Sequence, residues 1–158
     1  FIMKELNQDI INFLERQSFV IVSTLNPESR IHCSAKGIVG IDKKGKIYLI
    51  DLYLGRTFNN LKNNPIISIT AIDEHLFMGY TLMGKAKILD GDKIDKRVIV
   101  DWEDRVTKRI SRRVIKNIKE SRKTNRHPEA SFPQPQYLIE MDVEEIIDLA
   151  PSNLFSSH

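Results

Sequence analysis

Hydrophobic and polar positions change period several times along this chain, and each change marks an element. Leu6, Ile10, Ile11, Phe13 and Leu14 recur at helical spacing among Lys4, Glu5, Asn7, Gln8 and Glu15, which predicts an amphipathic helix over residues 4–17. Phe19 to Leu25 is continuous and β-branched, the pattern of a strand buried on both faces. Asn26-Pro27-Glu28-Ser29 is a turn, and a second strand runs from Arg30 to Ile41. Asp42-Lys43-Lys44-Gly45 is a hairpin turn in which Gly45 can take a positive φ, and the third strand is Lys46 to Leu52. Short turns between three strands imply an antiparallel meander.

Thr57 to Asn64 reads as a short helix, with the Thr57 hydroxyl as N-cap and Pro65 as the stop. Ile66 to Ile72 is strand four, and Asp73-Glu74-His75 is a turn. Phe77 to Asp90 holds strand five, where Gly79 and Gly84 mark a bulge or a close approach. Residues 93–123 read as helical, with Val106, Ile110, Val114 and Ile118 forming a narrow apolar stripe. Thr124 to Gln136 is a proline-rich loop. Tyr137 to Val143 alternates as a sixth strand, Glu144 to Ala150 is a short closing segment, and residues 152–158 are a frayed tail. Six mostly sequential strands with helices at the edges predict a small closed barrel in one domain, residues 3–151, with 92–136 as an excursion before the last strand.

Composition narrows the class. At 158 residues, 41% hydrophobic and 28% charged, the chain fits one globular domain. No apolar run reaches membrane-spanning length and the N-terminal stretch has no signal-peptide core, so the expected location is cytoplasmic. The lone Cys33 excludes an internal disulfide and a multi-cysteine metal site, and as a strand residue it reads as a small apolar filler rather than a reactive thiol. The four histidines show no ligand spacing, so no metal site is expected.

Charge is unevenly placed. Residues 105–126 carry ten Lys or Arg against Glu120, a net +9 beside +3 for the whole chain, which leaves −6 elsewhere. This basic helix reads as a solvated face, as a cover that adds positive charge near an anionic ligand, or as a nucleic-acid surface. Aromatic residues do not interleave with the basic ones and no reader motif accompanies them, which disfavours nucleic acid. Asp101, Glu103 and Asp104 read as a solvated helix face.

The candidate chemistry lies between Ile31 and Pro65. Lys36 on strand two and Arg56 and Thr57 in the loop after strand three fall towards the same open end of a hairpin. A helix start there offers backbone N–H groups to an anion, together with cationic donors. Surface charges on edge positions would give the same pattern.

The motifs Ser34-Ala35-Lys36-Gly37, Leu49-Ile50-Asp51-Leu52, Gly55-Arg56-Thr57-Phe58-Asn59-Asn60-Leu61-Lys62-Asn63-Asn64-Pro65 and Gly79 to Ala86 resemble the pyridoxamine 5'-phosphate oxidase-like flavoprotein family over roughly residues 5–95. The resemblance implies a mainly β (α+β) six-stranded antiparallel split β-barrel with flanking helices. It also implies a homodimer with FMN in a groove at the subunit interface. It places Arg56 and Thr57 at the phosphate, and Ser34, Ala35 and Lys36 along the flavin. Asp51 and Leu52 fall at the end of strand three beside the cofactor, Asn60 is the motif asparagine, a cofactor-site residue or only a cap or brace of the helix, and Gly79 and Tyr80 fall near the cofactor or the partner subunit. The Arg-, Trp- and Gly-rich C-terminal element of the true oxidase is not found here, which argues against pyridoxamine phosphate as substrate. Thr57 also stands where the family often has Lys.

No catalytic acid or base stands out, which is compatible with an oxidoreductase whose flavin does the redox chemistry. The expectation is an FMN-dependent hydride transfer from a nicotinamide or another donor to an unknown small substrate. The alternatives are a flavin-binding or sensing module without turnover, and a haem or deazaflavin binder on the same barrel.

Overall fold

Asn7 starts the first helix by accepting the Ile10 backbone N–H on its side chain at 2.9 Å. The helix, α1, is Gln8–Glu15, and it buries Ile10, Ile11, Phe13 and Leu14. It is shorter than the pattern over 4–17 implied, because the preceding backbone is committed to the sheet. The Lys4 N–H donates to the Val143 carbonyl at 2.7 Å, and that of Leu6 donates to the Lys43 carbonyl at 2.9 Å.

The computed structural model describes residues 3–51, 55–90 and 137–151, with isolated positions between 96 and 108. The rest of the expected helix over 93–123, the proline-rich loop and the tail lie outside the described residues. Among those described, the strands are β1 (Val20–Leu25), β2 (Ile31–Asp42), β3 (Lys46–Asp51), β4 (Ile66–Asp73), β5 (Met78–Asp90) and β6 (Tyr137–Asp148). A second helix, α2 (Arg56–Asn63), joins β3 to β4.

All neighbouring strands are antiparallel, and they close into a barrel in the order β1-β2-β3-β6-β5-β4. The six-stranded antiparallel barrel with flanking helices expected from the sequence is therefore the fold. Its core joins Phe13 and Leu14 of α1 to Val20, Val22, Ile47, Leu49, Ile67, Ile69, Leu82, Ile139 and Met141.

Two readings of the pattern need correction. The first strand is not buried on both faces. Val20, Val22 and Thr24 point inward, whereas Ile21 is 38% exposed on the outer face and the preceding Phe19 is 58% exposed. A closed barrel has only one interior face, so a continuous apolar run here leaves half its side chains outside. The closing segment Glu144–Ala150 is, up to Asp148, the second half of β6. Gly84 pairs with Val143 and Met83 with Glu145, so Glu144 is an extra residue in a bulge beyond which pairing resumes. The bulge interrupts the alternation and hides the strand in the sequence.

Gly45 sits at φ 109° in the β2–β3 turn, as expected, and a Cβ there would also run into the Lys4 carbonyl. Next to this turn, the seam between β3 and β6 is held by Lys46, whose ammonium meets Asp142 at 2.9 Å and Glu140 at 3.0 Å. The hydrogen bond to Asp142, then that to Glu140, raises the Lys46 pKa well above its ordinary value. A raised lysine pKa adds stability that is complete below the unfolded value of about 10.4 and fades as pH rises through the folded one. Lys46→Met is therefore expected to lower stability by about 1 kcal/mol at neutral pH. In urea titrations the gap to the parent should hold up to about pH 10 and narrow above it.

Candidate functional site

Gly55, in extended conformation, is the N-cap of α2 and offers no side-chain cap. Its carbonyl accepts from the Asn59 N–H at 3.1 Å, which closes the first turn. The expectation that Thr57 is the N-cap is thus corrected. Helical geometry already begins at Arg56, and the Thr57 hydroxyl is used elsewhere. The helix start has no acidic residue in its first turn, its first N–H groups have no intrahelical acceptor, and the N-cap Gly55 supplies no side-chain acceptor to them. The exposed Arg56 adds its charge to the positive end of the helix dipole.

One side of α2 is buried through Thr57, Asn60 and Leu61. The Thr57 hydroxyl, in a side chain only 2% exposed, lies 2.8 Å from the Ser34 hydroxyl of β2. One turn further on, the Asn60 amide donates to the Thr24 hydroxyl of β1 at 3.0 Å, with both residues buried. Phe58 packs edge-on to Tyr137 of β6, ring centroids 4.8 Å apart. Tyr137 is the register partner of Asp51, so the end of β3 and the first turn of α2 share a support. Helix, strands and loop end thus converge on a single place.

The convergence takes in some of the expected site residues and leaves others apart. Ser34 and Lys36 share a face of β2, opposite Val22 and Val20 of β1, and both are half-buried. Ala35 is exposed on the other face, together with Cys33, whose thiol lies 3.4 Å from the Ser23 hydroxyl. Strand alternation separates Ala35 from its two neighbours. Asp51 enters through its backbone pairing, and Leu52 lies outside the described residues. Tyr80 turns to α1 instead, edge-on to Phe13 at 5.3 Å. Burial, then the Asp148 and Asp9 carboxylates, pushes its phenol pKa up, so Tyr80 stays neutral. Thr24 and Tyr137 belong to the constellation although the sequence reading did not single them out. The available signal for Thr24 was its inward place after Val20 and Val22.

No group of His, Cys, Asp and Glu able to hold a metal occurs among the described residues. Likewise, no helix among them is long and apolar enough to cross a membrane. Most of the basic segment 105–126 lies outside them; Lys108, which is described, pairs with Asp104 at 2.8 Å.

Part of the outer barrel face is apolar. Ile31 is 73% exposed, Ile66 49% and Met83 39%, and they line a groove of about 460 Å³ with Ser23, Lys85 and Glu145 at its polar margin.

Comparison with known proteins gives the same fold. The profile of the family described as Pyridoxamine 5'-phosphate oxidase matches residues 6–149. No curated protein matches in sequence. Among solved structures, HupZ from Group A Streptococcus is 15% identical, with 92% of this chain and 94% of that one covered at a TM-score of 0.63. A protein of the pyridoxinephosphate oxidase family from Clostridium acetobutylicum, related to general stress protein 26, is 18% identical, with 93% and 95% covered at a TM-score of 0.58. An F420 reductase is 12% identical, with 90% and 98% covered at a TM-score of 0.60.

Proposed function

The chain belongs to the pyridoxamine 5'-phosphate oxidase family, and from that premise we propose that it is an FMN-binding oxidoreductase whose α2 start holds the flavin phosphate. At family level, an oxidoreductase-type function with a flavin-type cofactor has support; the choice of FMN is our reading. The observation that carries it is the uncapped start of α2 beside the Ser34–Thr57 hydroxyl pair. A phosphate monoester is a dianion rich in acceptors. At the α2 start it would meet first-turn backbone N–H groups, two hydroxyls and the Arg56 guanidinium, with no carboxylate in the first turn to repel it.

In this reading Arg56 and Thr57 bind the phosphate, Ser34 orients the Thr57 hydroxyl, and Lys36 lies along the ribityl chain or ring. The flavin would supply two-electron chemistry, taking a hydride from a reduced nicotinamide or another donor and giving it to a small acceptor. The apolar outer face, with Ile31, Ile66 and Met83, supports a homodimer that encloses the flavin ring between two copies.

Titration of the purified protein with FMN and with riboflavin, followed by absorbance and by sedimentation, tests this. The expected result is FMN binding in the micromolar range or tighter, at least tenfold weaker riboflavin binding, and a particle of two chains. No flavin binding at micromolar FMN, or equal affinity for the two flavins, would sink the phosphate assignment. A haem Soret band in the purified protein would redirect the reading to the haem alternative.

A further inference from the structure

We infer that Thr24 and Asn60, neither of which reaches the open helix start, are positioning residues that set the register of α2 over the sheet and so the selectivity for a phosphorylated ligand. The inference rests on the proposed phosphate site and adds a second layer to it.

Asn60 and Thr57 stand three residues apart, on one side of α2. Their partners, Thr24 and Ser34, are diagonal neighbours on one face of β1 and β2, since Thr24 pairs with His32 and Val22 with Ser34. Hydrogen bonds therefore fasten the helix to β1 and β2 at two points, through Asn60–Thr24 at 3.0 Å and Thr57–Ser34 at 2.8 Å. Apolar packing of Phe58 against Tyr137 and of the buried Leu61 holds the helix down but carries no direction that fixes its roll or slide. Two directional contacts one turn apart remove both freedoms. Either motion would swing the first-turn N–H groups away from the Ser34 hydroxyl.

The choice of residue types at the rear contact points the same way. Thr24 is 2% exposed and Asn60 6%, beside the apolar Leu61 at 6%. An apolar pair in such a place would stabilise the fold at least as well, because a buried hydrogen bond nets only about 1 kcal/mol against desolvation. What apolar packing lacks is direction. A buried polar pair in an apolar layer fixes alignment, as single buried asparagines do between packed helices.

The test uses the full chain with Thr24→Val and Asn60→Leu combined, so that no buried polar group is left unpaired. Affinities for FMN and riboflavin and the melting temperature are measured side by side with the parent. The expected result is a melting temperature equal to or above that of the parent, riboflavin affinity unchanged, and the FMN-to-riboflavin preference reduced at least fivefold. Thr24→Ser, which keeps the hydroxyl, should retain the parental preference. A double variant with undiminished preference would overturn the positioning role while leaving the phosphate site intact. A parent that itself shows no preference for FMN would remove the site and this inference together. Loss of both flavins in step with a lowered melting temperature would reduce the pair to a purely structural role.

Discussion

Replacing Arg56 by alanine should weaken FMN binding by at least tenfold and leave riboflavin binding as it is. Arg56 opens α2 and is exposed, so in the proposed site its guanidinium would meet the phosphate without any rearrangement of the core. Hydrogen bonds to charged groups contribute about 1.5–3 kcal/mol, and a tenfold change corresponds to about 1.4 kcal/mol. The prediction therefore takes the low end of the range, because the backbone N–H groups and the Thr57 hydroxyl remain in place. Arg56→Lys should fall between the two, since an ammonium keeps the charge but cannot form the paired contacts of a guanidinium. Raising the ionic strength should narrow the gap between parent and Arg56→Ala, because an exposed charge is screened over about 10 Å at 0.1 M salt. Unchanged FMN affinity in Arg56→Ala would contradict the phosphate assignment directly, since this substitution leaves the barrel untouched.

The largest expected effect on the fold comes from Gly84→Val. A Cβ at Gly84 would overlap the Asp142 carbonyl oxygen, with the carbonyl carbon at 3.0 Å and the Val143 Cα at 3.2 Å. These are backbone atoms of the neighbouring strand, so no side chain can rotate away to make room. The position is also where the register of β5 against β6 shifts. Overpacking against a rigid wall costs about 3 kcal/mol or more. For a chain of this size that amounts to a fall in melting temperature of about 6–12 °C, measurable by calorimetry or circular dichroism. A melting temperature within a degree or two of the parent would mean that the two strands can separate at the bulge, contrary to the close approach described. Exposed Met83, next to it on the outer face, is the natural control, since Met83→Leu should leave stability nearly unchanged.

The sequence was informative where local chemistry and tertiary structure agree. Gly45, Pro65 and the Asn26–Ser29 turn each bound an element within a residue or two of where it ends, because the backbone constraints they impose act locally. It misled where closure of the sheet decides. Whether Phe19 and Ile21 are covered depends on the barrel having an outside, which no window of residues contains. Glu144 interrupts the alternation of β6, and only pairing with Met83 and Gly84 shows that the strand continues. At the candidate site, Lys36, Arg56 and Thr57 stood out by their types and order, and Ser34 only through the family resemblance. The use of Thr57 was not legible: a threonine before a helical pattern reads as a cap, and only the 2.8 Å contact with Ser34 turns it into a cross-element link. Thr24 was invisible for a related reason. A threonine at the end of an apolar strand becomes meaningful only once Asn60 is known to lie over it.

The place of β6 in the barrel has a consequence for the nascent chain. This strand joins β3 to β5, yet it begins at Tyr137, far downstream of both. During synthesis the chain can assemble β1 to β3 and the β4–β5 hairpin early, but β3 and β5 must wait as open edges until the last strand leaves the ribosome. At roughly 5–20 residues per second, the stretch from Asp90 to Asp148 takes several seconds to translate. Throughout that interval two strand edges with unpaired backbone N–H and C=O groups are open to any other unfinished chain, which is the geometry that leads to aggregation and strand exchange. Slower translation across this intervening stretch is therefore expected to lengthen the time for which both edges stay open.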